Sequence, residues 1–83
     1  MKAIVKLTNP IRRVYAAEID ASGEYVIFKL LDRREPEIGD VLLHDDFYSI
    51  GDETFHNVTQ DREIKVAVEI VCDADLVRQQ CFA

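Results

Sequence analysis

Arg13-Val14-Tyr15-Ala16-Ala17-Glu18-Ile19-Asp20-Ala21-Ser22-Gly23-Glu24-Tyr25-Val26-Ile27-Phe28-Lys29-Leu30-Leu31 is the stretch that decides the fold class. Two runs rich in β-branched and aromatic residues flank a short polar link, the pattern of a β-hairpin over residues 13–20 and 25–31. Asp20 and Gly23 suit the first and fourth positions of a type I turn, with the glycine at positive φ as a bulge. That turn predicts a register in which Ile19 faces Tyr25, Ala17 faces Ile27 and Tyr15 faces Lys29. The other face then pairs Glu18 with Val26, Ala16 with Phe28 and Val14 with Leu30. Both faces are substantially apolar, whereas a sheet wetted on one side alternates more cleanly. A chain of 83 residues hides two such faces only by closing into a barrel or by meeting another chain.

Period-two patterning extends to both sides of this hairpin. Residues 2–7 alternate, with Ala3, Val5 and Leu7 on one face, until Asn9-Pro10 interrupts the strand. Residues 62–72 read as a long strand that sends Ile64, Val66, Val68, Ile70 and Cys72 to the core. Between them lie a charged loop, Asp32-Arg33-Arg34-Glu35-Pro36-Glu37, and an Ile38-Gly39-Asp40 corner before the short apolar run Val41-Leu42-Leu43. Ile50-Gly51-Asp52-Glu53 fits a type II′ turn, so residues 47–50 and 53–58 suggest a second hairpin with Tyr48 opposite Phe55. Past Asp73, a helix-capping residue, Val77 and Cys81 stand four apart and predict a short helix over Ala74 to about Phe82. So short a helix needs a surface to pack on. The expected architecture is one domain over residues 1–83. It is mainly β: a small antiparallel barrel or curled sheet of five to six strands, OB-like or SH3-like, with a short C-terminal helix.

The hydrophobic fraction of 48% and charged fraction of 31% are those of a folded globular chain. No apolar run has the length of a membrane span. Lysines interrupt the first apolar residues, so no signal peptide is read there and a cytoplasmic location is expected. Cys72 and Cys81 are then expected to be reduced thiols without a zinc motif. The net charge of −6 is uneven. Residues 1–31 carry five basic and three acidic groups, residues 32–63 three and ten, residues 64–83 two and three. The acidic middle disfavours nonspecific contact with nucleic acid or an anionic membrane.

Glycine-rich phosphate loops, nucleophile elbows and Cys-x-x-Cys pairs are lacking, and neither an enzyme nor a cofactor is expected. His44-Asp45-Asp46 with Asp52, Glu53 and His56 could hold a divalent metal, but both plausible hairpin registers keep the two imidazoles apart, so no metal site is expected. The His44/Asp45/His56 region is the basis of that alternative. Ser49, Thr54 and His56 share a face of the second hairpin without an evident oxyanion hole. Tyr15 and Tyr25, beside Arg13 and Lys29, form the one patch suited to stacking bases, which makes an OB-like oligonucleotide-binding module a further alternative. The doubly apolar hairpin points elsewhere. The expected role is non-enzymatic binding or assembly through protein–protein contacts, with a protein partner or a second copy (a homo-oligomer), through an interface of Tyr15, Ala17, Ile19, Tyr25 and Ile27.

Overall fold

The computed structural model describes residues 1–82. Six strands and one helix follow in order: β1 (Lys2–Asn9), β2 (Val14–Ile19), β3 (Tyr25–Leu30), β4 (Val41–Leu43), β5 (Gly51–Asn57), β6 (Arg62–Cys72) and α1 (Val77–Cys81). The strands close into a barrel in the order β1-β2-β3-β6-β5-β4, and every neighbouring pair is antiparallel. β4-β1-β2-β3 is a Greek-key arrangement, with the long 31–40 connection carrying the chain from β3 to β4. Closure gives every strand a paired neighbour on each side, the short β4 bridging β1 and β5 through only a few residues. The expected fold class is the one observed, and among the described residues no helix is long and apolar enough to cross a membrane.

The strand directions give the barrel two ends. The β2–β3 turn and the 44–50 loop lie at one, called here the hairpin end. The β1–β2 turn, the 31–40 connection and the β5–β6 turn lie at the other, the proline end, which carries Pro10 and Pro36.

Inward-facing residues form a buried core inside the barrel. Its core contains Ala3, Val5, Ala17, Ile19, Val26, Leu30, Leu42, Ile64, Val66 and Val68 around a column of aromatic rings. Tyr15 stacks on Phe28 with centroids 5.9 Å apart, and Phe28 meets Phe55 edge to face at 5.1 Å. Phe55 in turn meets Phe47 at 5.0 Å and the His44 ring at 5.2 Å. The rings therefore run the length of the barrel, from Tyr15 at the proline end to His44 at the hairpin end. Each fully buried phenylalanine contributes roughly 1.5–3 kcal/mol of burial, and offset or edge contacts add to that.

Two β-bulges explain how the outside of the barrel also becomes apolar. On β1, Val5 faces Ala17 but Leu7 faces Ala16, so Lys6 is the extra residue. On β6, Ile70 faces Ile27 but Val68 faces Phe28, so Glu69 is the extra residue. A bulge reverses the side-chain alternation beyond it. Leu7, Ile70 and Cys72 accordingly leave the inward set predicted for them. Leu7 and Cys72 join Val14, Ala16, Ile27 and Tyr25 in a second cluster outside the barrel, covered by Val77 and Cys81 of α1. Ile70 remains 38% exposed, while Val71 packs on the inner core in its place. The helix is anchored at its far end by Asn9 Nδ2, which donates to the Cys81 carbonyl at 3.0 Å. It is shorter than predicted: Leu76 is its N-cap, without a side-chain cap bond, while Asp73 caps the preceding turn by accepting from the Asp75 amide.

Two predicted registers are corrected. In the first hairpin Tyr15 faces Phe28, Ala17 faces Val26 and Glu18 faces Tyr25. Ile19 N donates to Glu24 O at 2.7 Å, which makes the loop four residues long, one more than the predicted bulged turn. Gly23 does take positive φ, 75°. The second hairpin is absent. Gly51 begins β5, which pairs with β6 from Gly51↔Val68 to Asn57↔Arg62 and with β4 through Leu42↔Asn57 and Leu43↔His56. Tyr48 consequently does not face Phe55: it is 41% exposed, and its hydroxyl bonds Ser22 Oγ and Glu24 Oε1 across the hairpin end.

Candidate functional site

The one-residue shift in the first hairpin separates the five residues expected to form an interface. Tyr15, Ala17 and Ile19 point into the barrel and are buried there. Ile27 and Tyr25 lie on the outer face, beneath α1. The set has no common surface, because the closed barrel hides one face of the hairpin and the helix hides the other. The proposed base-stacking pair is split in the same way: Tyr15 is 1% exposed and Tyr25 is half-buried under the helix.

The histidines are also kept apart. His44 lies at the hairpin end against Phe47 and Phe55, whereas His56 stands on the outer face between Leu43 and Glu63. His44 Nε2 meets Glu53 Oε1 at 2.9 Å, and its Nδ1 accepts from the Asp46 amide at 2.9 Å. That acceptor role fixes the neutral ring as the Nε2–H tautomer, donating to Glu53. Glu53 faces inward beside Val66, and its second oxygen accepts from the Ser49 hydroxyl at 3.0 Å. Ser49 is thus bonded to a carboxylate and not to an imidazole, the reverse of what an activated nucleophile requires. Thr54 faces Lys65 on β6, away from Ser49. The cluster works as a polar lid over the aromatic column.

At the proline end the arrangement is more open. A cleft of about 430 Å³ is lined by Thr8, Pro10, Tyr15, Glu35, Pro36, Glu37 and Ile38. Tyr15 enters it only by its hydroxyl, which donates to Glu35 Oε1 at 2.6 Å. Burial, then the hydrogen bond to Glu35 and that carboxylate's charge, push the phenol well above its ordinary range; nearby Arg13 opposes the shift weakly. The hydroxyl therefore stays protonated and acts as a fixed donor that orients Glu35 over the barrel mouth.

The walls of this cleft are held by a buried polar clamp. Asp40, 5% exposed, accepts at Oδ2 from the Glu37 amide at 2.9 Å, Asn57 Nδ2 at 2.9 Å and Gln60 Nε2 at 2.6 Å. Gln60 Nε2 also reaches the Glu35 carbonyl at 3.3 Å. Gly39 N donates to Val5 O and Val5 N to Asp40 O, so the Ile-Gly-Asp corner is stitched onto β1. Across the cleft, Arg13 N closes the β1–β2 turn on Pro10 O at 3.2 Å, and the Arg13 guanidinium donates to the Asp32 carbonyl. Both non-glycine residues with left-handed backbone, Arg13 at φ 58° and Asp61 at φ 51°, lie at this end. Such conformations are disfavoured for a bulky side chain and collect where structure serves binding.

The same turns present apolar side chains to solvent. Ile11 is 95% exposed and Ile38 66% exposed. The sequence assigns Pro10, Glu35, Pro36 and Ile38 to turns and loops without a binding role, and Ile11 to none, because period-two patterning says nothing of what loops do. The available signal was an isoleucine inside each of two otherwise polar or proline-bearing connections. A second, more polar cleft of about 420 Å³ is lined by Leu31, Asp52, Glu53, Thr54, Lys65 and Val66 on the barrel wall.

No protein-family model, curated protein or solved structure matches the chain.

Proposed function

We propose that this chain is a non-enzymatic binding module that recognises a protein partner through the proline end of its barrel. The observation that carries this reading is the exposure of Ile11 and Ile38, at 95% and 66%, on turns tied down by backbone and side-chain hydrogen bonds around a cleft. Single exposed apolar residues are ordinary. Two on tethered turns beside a concave surface are the anatomy of a binding anchor, since little loop entropy remains to be lost on contact. The two clefts lie on the outside of a barrel whose interior is a buried apolar core, which supports the same reading. Ser49, Glu53 and His44 bond one another as a lid, with the Ser49 hydroxyl held by a carboxylate and not by an imidazole.

The test is co-purification of the chain from its native cells, comparing wild type with an Ile11→Ser/Ile38→Ser double variant. Both substitutions are in exposed positions and leave the fold intact, which circular dichroism and a thermal melt verify. A protein retained by wild type and lost by the variant supports the reading. Identical retention by both, or no retained protein, refutes it.

A further inference from the structure

We infer, building on that reading, that the cleft at the proline end takes a cationic side chain flanked by an apolar residue, presented on an extended segment of the partner protein. Three features converge. The lining is partly apolar, with Pro10, Pro36 and Ile38 among its residues and Ile38 66% exposed. The acidic groups in the cleft are Glu35 and Glu37. Among the described residues the ion pairs are Lys2–Asp20, Lys6–Glu18 and His44–Glu53, so neither cleft carboxylate has a cation of its own. Arg13 already donates to the Asp32 carbonyl and Arg34 to the Glu63 carbonyl.

Glu35 is moreover pre-oriented. Tyr15, anchored by its ring in the barrel core, holds Glu35 Oε1 at 2.6 Å and leaves the second oxygen to a ligand. A guanidinium or ammonium entering the cleft would bond that oxygen while its alkyl stem lies on the apolar part of the lining. The clamp of Asp40, Asn57 and Gln60 keeps Glu35, Pro36 and Glu37 in place before the ligand arrives. The net charge of −6 attracts a basic segment from a distance and repels an acidic one.

The experiment titrates the isotope-labelled, untagged full chain with two capped peptides, acetyl-Gly-Leu-Arg-Leu-Gly-amide and its glutamate counterpart, and follows backbone amides by NMR. The arginine peptide is expected to shift the amides of Thr8, Glu35, Glu37 and Ile38 saturably, and the glutamate peptide to bind at least about tenfold more weakly. A Glu35→Gln/Glu37→Gln variant keeps an acceptor for Tyr15 and loses both charges, so its affinity for the arginine peptide falls about tenfold while its spectrum elsewhere is unchanged. Added salt weakens the arginine peptide selectively. Equal binding of the two peptides overturns the inference, as does the lack of saturable shifts at these amides by about 10 mM, beyond the weakest specific range. Shifts at the same amides that grow with protein concentration alone assign the cleft to a second copy and also overturn it. If the arginine peptide fails while partner capture still depends on Ile11 and Ile38, only this inference falls. Should capture fail too, the protein-binding reading falls with it.

Discussion

Replacing Tyr15 with phenylalanine deletes one oxygen atom at the point where the barrel core meets the cleft. The ring and its stack on Phe28 at 5.9 Å are retained, so no core cavity opens. What is lost is the 2.6 Å bond to Glu35. A hydrogen bond to a charged acceptor is worth about 1.5–3 kcal/mol; because Glu35 is exposed and water competes for it, about 1–2 kcal/mol is expected at neutral pH. The pH dependence follows from the raised phenol pKa, caused first by burial and then by Glu35. The folded state holds this proton more tightly than the unfolded chain, whose tyrosine titrates near 10.0. The stabilisation is therefore complete below that value and declines as pH rises above it, by about 1.4 kcal/mol per pH unit. Tyr25, also raised by burial and then by Glu18, is present in both proteins and cancels. Urea unfolding of wild type and Tyr15→Phe from neutral pH to about pH 11 measures the difference directly. Wild type should be the more stable by about 1–2 kcal/mol at neutrality, with the gap closing near pH 11. A gap that does not change with pH, or a more stable variant at neutrality, refutes the assignment of Tyr15 as a desolvated donor to Glu35.

Three further substitutions or treatments probe the rest of the scaffold. Asn57→Ala removes one donor to Asp40 and the acceptor of the Gln60 amide; at a site buried to 0% exposure this should cost about 2–3 kcal/mol and lower Tm by about 10–20 °C, as read by calorimetry. Gly51 has φ 105°, and a Cβ there would meet nothing within 4 Å. Gly51→Ala should therefore destabilise by backbone conformation alone, about 1–2 kcal/mol in a urea melt, and an unchanged midpoint would contradict the left-handed start of β5. Cys72 and Cys81 are buried and their thiol pKa values are raised by burial, that of Cys72 also by Asp73 and Glu24. Iodoacetamide should label both slowly in the native protein and quickly in urea, followed by mass spectrometry; rapid native labelling of either would show that α1 opens readily.

Much of the scaffold was legible because β-strand patterning is strongest where burial is one-sided. Ala3 and Val5 are bracketed by Lys2 and Lys6, and Ile64, Val66 and Val68 alternate with charged or small residues, so their inward direction could be read directly. The first hairpin defeated register assignment for the opposite reason. Val14, Ala16 and Ile27 are as apolar as Tyr15, Ala17 and Val26, so a slip of one residue exchanges two buried sets at no evident cost in pattern. Only the loop decides, and a four-residue loop and a bulged three-residue loop share the same polar composition. Bulges at Lys6 and Glu69 compound the difficulty, since an alternation that reverses in mid-strand reads as unbroken until the partner strand is known. The second hairpin failed differently. Gly51 suits a II′ turn, but its positive φ starts a strand, and the 44–50 segment is recruited as a lid by Phe47, the His44–Glu53 pair and Tyr48.

The site was less legible than the scaffold because it is made where distant loops meet. The acidic belt counted along residues 32–63 does not survive as a belt in three dimensions. Glu35 and Glu37 go with the 31–40 connection to the proline end; Asp45, Asp46 and Glu53 go to the hairpin end, while Asp40 is consumed by the clamp. Linear charge thus described the whole molecule's preference for cations without locating it. The cleft also needs Tyr15, whose place in an apolar strand marked it as a core or interface residue and gave no hint that its hydroxyl would emerge at the barrel mouth. A tyrosine one register away would have put its hydroxyl beneath α1, far from Glu35. The same single-residue choice in the first hairpin that removes the expected five-residue interface therefore creates the oriented carboxylate on which the cleft's preference for a cation depends.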